Sequence, residues 1–348
     1  MTSNPRVEGE YFHHYQQVLY REHLAKQIGT FVSQFEKQVR SYALFNLLFI
    51  IIGAFEIVLI ISGFSLLVQT SILGFSLGFV FLTFFFYCLL RVYFQTKKPE
   101  QYRVLRAKFL EQTKRLLHYE DRNPESHIAL AGACCKLADQ LSGREYQVWR
   151  LPKVFHSFRP MIEKWCCFCF WEDYHLMKEL LLTASIDEQI QLVTCEPTNL
   201  EFHAALANAY VLLSALYVDP RKLEGPEDER WLPQARTEEG FRAKFRQAAE
   251  RAIEEFKIMN DYAPNDSWVH AQLAYSYHDL QMPDEEIKEY EILLSLHPSD
   301  KEILFKLGRL YFEQGHNAKG LRIYEALKHM HYKKAEQLLA YYGAYTCS

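Results

Sequence analysis

The chain has 348 residues, a formal net charge of −4 and eight cysteines. A slightly acidic balance excludes nucleic-acid binding as its main business, and the length allows two or three domains. The cysteines fall in apolar or helical stretches rather than in a disulfide framework, which predicts reduced thiols on a reducing side of a membrane.

Residues 1–40 carry Tyr11, Tyr15, Leu19, Ile28, Phe31, Phe35 and Val39 at mostly helical spacing. This predicts an amphipathic helix whose aromatic stripe packs on downstream chain. From Ser41 to Leu90 the one acidic or basic residue is Glu56. As a single helix, fifty such residues would run about 75 Å, against a bilayer core of about 30 Å. Two spans within 41–92 are therefore expected, joined by a turn in Ser65–Ser71. The run starts too late and lasts too long for a cleaved signal peptide.

Basic residues cluster on the flanks. Lys37 and Arg40 precede the apolar run, and Arg91, Lys97, Lys98, Arg103, Arg106 and Lys108 follow it. Positive-inside logic then places both termini in the cytoplasm, making an integral, multi-pass protein. The basic helix expected over 93–122 would also meet anionic lipid. Glu56 in mid-span predicts a hydrogen bond to Ser76, Thr83 or a neighbouring copy. Gly74 and Gly78 form a GxxxG, expected to contact the first span and also suited to a second copy in a homo-oligomer.

The second half repeats itself. Sliding the sequence along itself until Leu273 lies on Leu307 also lays Ala274 on Gly308, Tyr277 on Tyr311, Ile287 on Leu321, Tyr290 on Tyr324 and Leu293 on Leu327. Upstream, His127-Ile-Ala-Leu-Ala131 and His203-Ala-Ala-Leu-Ala207 repeat the opening of His270-Ala-Gln-Leu-Ala274. Their second helices are read at about Asp173–Cys195 and at Phe241–Tyr262. The three histidines, one per repeat at one helix position, are read as interhelix packing groups rather than metal ligands.

This pattern resembles the tetratricopeptide repeat (TPR) family, helix–turn–helix units of about 34 residues. Departures are Glu286 and Gly320 at the usual helix B alanine and Tyr332 in place of proline. The resemblance implies an all-α fold: a two-helix transmembrane hairpin followed by a TPR-like α-solenoid over 123–348. That region has insertions at 143–172 and 218–240 and a capping helix after Tyr332. It also implies a groove for a protein or peptide partner, lined by Asn208, Gln272, Tyr275, His278, Lys306, Arg309 and Phe312. The family's paired Lys and Asn clamp for a terminal carboxylate is not reproduced.

The first insertion holds Trp165-Cys-Cys-Phe-Cys-Phe-Trp171. Its aromatics with nearby basic residues suit a headgroup layer, making Arg91, Lys97, Lys98, Trp165 and Trp171 the expected membrane-proximal set. Packed free thiols, an S-acylated patch and a zinc site are the readings of its cysteines. The zinc set would be Cys166 and Cys169 with His175, plus His156 or Cys195, but no second CxxC or HxxxH supports it.

No glycine-rich phosphate loop, nucleophile elbow or HExxH is present, so neither an enzyme nor a cofactor is expected. The leading function is a membrane-tethered TPR scaffold binding a partner on its cytosolic face. The alternative is a membrane-shaping or effector-type hairpin protein. A short hairpin with both ends cytosolic is architecturally similar to chlamydial inclusion-membrane proteins, with the repeats recruiting host or partner proteins.

Overall fold

The computed structural model describes residues 5–63, 72–149, 159–218 and 239–343, with side chains from Glu22 onward. Every regular element among them is helical. Two compact units divide at Glu188/Gln189, which falls inside one helix.

In the first unit, α1 (Pro5–Ser62) and α2 (Ile72–Leu116) form an antiparallel hairpin. Its seam can be followed by contacts: Gln27 to Thr113, Phe31 to Phe109, Phe35 to Tyr102, Asn46 to Tyr87 and Glu56 to Thr83. Along α2, Leu73, Ser76, Val80, Thr83, Tyr87, Leu90 and Phe94 are partly covered and step alternately by three and four, with Cys88 beside them also partly covered. That is the spacing of a two-helix packing stripe. The expected N-terminal helix and the first half of the apolar run belong to one continuous helix. The expected turn at 65–71 lies outside the described residues, as do the side chains of Tyr11, Tyr15 and Leu19.

Burial changes abruptly along this hairpin. In the N-terminal part of α1, Ile28, Phe31, Phe35 and Val39 are buried, packed on α2 and on Tyr174. Further on, Ile50, Phe55, Ile61, Phe75, Phe81 and Phe84 are all exposed, Phe75 to 80%. Both helices are long and apolar enough to cross a membrane.

The phase of the seam corrects one expectation. A methyl group placed on Gly74 or Gly78 would meet nothing within 4 Å. Both glycines are exposed, off the seam that Ser76 and Thr83 occupy, so the GxxxG does not hold the two helices together.

The unit is completed by α3 (Pro124–Gln140), a short 3-10 turn (Arg144–Gln147) and α4 (Arg159–Cys195). Here the second helix of the first repeat begins well before the expected Asp173. The Trp165–Trp171 stretch is therefore helix rather than inserted loop, and the part of 143–172 that remains an insertion is shorter. Residues 150–158 lie outside the described ones.

In the second unit, α5 (Leu200–Leu216) pairs with α6 (Glu239–Tyr262), α7 (Ser267–Asp279) with α8 (Pro283–Leu296), and α9 (Lys301–Glu313) with α10 (Asn317–His329). The starts of α7 and α8 recur at one common offset, from 267 to 301 and from 283 to 317. Leu273 and Tyr277 fill the space above Phe256, and Leu307 and Tyr311 the space above Tyr290. The expected capping helix is instead a 3-10 segment, Ala335–Tyr341, which seats Leu338 on Leu304 and Phe312. Most of the 218–240 insertion lies outside the described residues.

One local device recurs three times. Asn123, Asn199 and Asp266 each cap a first helix, accepting from the backbone N–H two residues on. Four residues after each cap stands the histidine. Nδ1 of His127, His203 and His270 lies 2.6–2.7 Å from a carboxylate of the second helix, Glu188, Glu255 and Glu289 respectively. Nε2 faces the carbonyl oxygen of Asp121, Pro197 or Pro264, six residues back. Each clasp ties both helices of a pair to the chain entering it. The fourth unit keeps the cap, Asp300, but has Leu304 at the histidine position, where the terminal segment packs on it. The expectation of a packing role for these histidines fits this geometry. Their glutamate partners sit at no fixed sequence distance and could not be read beforehand.

Candidate functional site

The first candidate surface lies in the second unit. Tyr275 stands 48% exposed on α7, a position after buried Ala274, and Lys306 of α9 reaches it from the next pair. Lys306 Nζ donates to Tyr275 Oη at 3.1 Å and lies 4.8 Å from the centre of its ring. A cation over an aromatic face is held by the ring's quadrupole while both groups stay partly wet. Tyr290 of α8 lies below, 6.0 Å from the same ammonium.

Beside them, His278 Nδ1 lies 3.2 Å from Glu286, whose carboxylate is nearly buried. Burial pushes the Glu286 carboxyl up from its ordinary range, and His278 and Arg309 act against that shift. Arg309 Nε stands 3.3 Å from Glu313 on its own helix. Of the expected groove residues, Tyr275 and Lys306 touch each other, Arg309 faces the same carboxylate as His278, and Gln272 is half-buried. Asn208 is exposed on α5, and no described contact joins it to the rest. Phe312 does not line a groove. It is fully buried among Leu304, Leu327 and Leu338, because the terminal 3-10 segment covers the end of the stack. Glu286 was missed from the sequence; its offset of eight from His278, across the turn between paired helices, was the available signal.

The second candidate surface belongs to the first unit. Cys166 and Cys167 are buried, and the backbone of Trp149 hydrogen-bonds the Cys166 sulfur. Burial raises the thiols of Cys166 and Cys169 and pushes that of Cys134 up to about 12. Protonated thiols are poor nucleophiles and poor metal ligands. Among the described residues no three His, Cys, Asp or Glu side chains gather as a metal site, so Cys166, Cys169 and His175 are not brought together as ligands. Within the described residues the packed reading of Cys166 and Cys167 fits; His156 lies outside them.

The residues expected to lie near a membrane also divide. Arg91 stacks over Tyr87, and Lys97 pairs with Glu100 in the open. Lys98 does not face outward; it binds buried Asp173 at 2.6 Å and lies over the ring of Tyr42. Trp171 stacks on His175 with ring centres 4.6 Å apart, while Trp165 is 60% exposed. Glu56 accepts a hydrogen bond from Thr83 Oγ1 at 2.7 Å, one of the partners expected for it.

No protein-family model and no curated protein matches the sequence. Among solved structures the chain is similar to a thermophilic TPR protein of Thermus thermophilus, at 18% identity, a TM-score of 0.30, and coverage of 62% of this chain and 97% of that one. A score so low has no bearing on the fold, which rests on the helix pairs and their recurrence at a fixed offset.

Proposed function

We propose that this chain is a membrane-tethered helical-repeat scaffold that binds a protein or peptide segment on its cytosolic face. Residues 41–92 form the two-span hairpin, 93–122 carry the second span into the cytosol, and 123–348 form the TPR-like domain. Both termini are cytoplasmic. Support for the tether comes from the outer face of the hairpin. Each large apolar side chain kept in water forfeits about 1.5–3 kcal/mol, so a continuous stripe of them needs lipid or protein cover.

The observation that carries the binding role is the Tyr275–Lys306 pair, an exposed aromatic ring and a cation presented by successive first helices. Such a surface suits a peptide bringing a carboxylate to Lys306 and an apolar side chain to Tyr275. A photoreactive phenylalanine at position 275 of the full membrane-bound chain tests it. A discrete crosslinked species, lost on Lys306→Glu and absent when the probe stands at Lys288 on α8, supports the role. Equal crosslinking from 275 and 288, or none from 275, overturns it.

A further inference from the structure

The N-terminal third of α4 carries an apolar face that stands exposed among the described residues. Met161, Trp165 and Phe168 recur at four and three residues, on one side of the helix, and are 65%, 60% and 40% exposed. Their neighbours Cys166, Cys167 and Phe170, on the other side, are buried. An amphipathic face of this kind is either core or contact surface, and here it is not core.

The position of this face follows from how α4 runs beside α2. Two ion pairs join them: Lys98 to Asp173 and Lys114 to Glu188. Their offsets are nearly equal, since 173 less 98 is 75 and 188 less 114 is 74, so from Lys98 to Lys114 the helices run parallel in a near-constant register, which is carried below along both helices toward their N-terminal ends. Trp165 lies eight residues before Asp173, and Leu90, the last residue of the apolar run, lies eight before Lys98. At a rise of 1.5 Å per residue, both stand about 12 Å from the ion pair in the same direction. By the same register Phe168 comes level with Tyr93 and Met161 with Phe86. The uncovered face of α4 thus stands at the height where the exposed apolar surface of the hairpin gives way to Arg91 and Lys97.

We infer that Met161, Trp165 and Phe168 form a second foot of the protein, seated in the interfacial layer of the phospholipid bilayer beside the hairpin. Tryptophan favours this layer, where its apolar ring meets acyl chains and its N–H meets water and headgroups. The Lys98–Asp173 pair has a role in this arrangement beyond joining two helices: it sets the height at which the foot meets lipid. The inference rests on the membrane-crossing reading of 41–92.

The test uses the full chain, labelled throughout with fluorotryptophan and held in phospholipid nanodiscs, some of which carry lipid with a nitroxide at the fifth acyl carbon. Fluorine NMR reads each tryptophan, and Trp165→Phe assigns its signal. A Phe81→Trp variant adds a reporter inside the hairpin. The expected result is severalfold broadening of both the Trp165 and the Phe81→Trp signals, reversed when the nitroxide is reduced. Broadening of the Phe81→Trp signal with Trp165 unchanged overturns the foot and leaves the hairpin in lipid. Failure to broaden either removes the membrane reading and the foot with it.

Discussion

The ring of Phe312 occupies the space where a side chain on Gly320 would stand, with ring carbons 2.6–2.9 Å from the place of its Cβ. One repeat earlier, the same two positions are His278 and Glu286, held to each other at 3.2 Å. A ring filling the joint of one helix pair is thus replaced in the other by a polar contact at its rim. Gly320 departs from the small-but-not-smallest residue expected there because its partner is large.

Adding a methyl group at Gly320 should therefore force Phe312 to move. Gly320→Ala should destabilise the chain by about 1–3 kcal/mol, the usual cost of overpacking. Phe312→Ala should cost about 3–5 kcal/mol through the cavity it leaves. In the Phe312→Ala background the added methyl group should cost little or nothing. Thermal unfolding of the four chains checks this double-mutant cycle; additive losses would refute the contact.

The same pair shows what the sequence could and could not reveal. The repeat period was legible because Leu273, Tyr277 and Ile287 fill joints that recur in space, and the structure returns those joints. The period also transferred the outward role of His278 to Phe312, and there it failed. Exposure at a repeat position depends on the next layer, and for the last pair that layer is the 3-10 segment bearing Leu338, which follows no repeat rule. The hairpin was legible from apolar run length alone. The inward turn of Lys98 was not, because it depends on Asp173, which lies seventy-five residues from Lys98 in the chain.

The histidine clasps should be structural fasteners. His203→Ala leaves Glu255 without its nearly buried partner and should cost about 2 kcal/mol, in the range for hydrogen bonds to charged groups. Asn199→Ala removes the cap one helical turn before it and should cost about 1 kcal/mol. Hydrogen exchange should localise both losses to α5 and α6. Uniform destabilisation of the whole second unit at twice these costs would mean that the clasp does more than join one pair.

The Lys98–Asp173 pair makes a pH-dependent prediction. Burial raises the Asp173 carboxyl above its ordinary value, against which the Lys98 ammonium acts. A carboxyl raised in the folded chain favours folding as pH falls through that raised value and opposes it as pH rises. Lys98→Met removes the opposing charge, raises the carboxyl further, and should cost about 3 kcal/mol near neutral pH. That deficit should shrink as pH is lowered through the raised value of the Asp173 carboxyl, where it takes up a proton. A deficit independent of pH in detergent-held protein would contradict this account.

Gln281 and Gly315 occupy equivalent turn positions, both with positive φ, 58° and 76°. A side chain in the left-handed region costs about 1 kcal/mol relative to glycine. Gln281→Gly should stabilise the chain by roughly that amount, and Gly315→Ala should destabilise it similarly. Opposite signs in chemical unfolding are the result expected of equivalent turns; equal signs would deny the equivalence.

Everything proposed for the partner face presupposes that the exposed stripe of α1 and α2 meets lipid. Alkaline extraction of membranes from cells making the full chain, followed by flotation through a density gradient, measures this most directly. The chain should remain with the lipid and float with it, as a protein crossing the bilayer twice must. Release into the alkaline supernatant would contradict the account at its base.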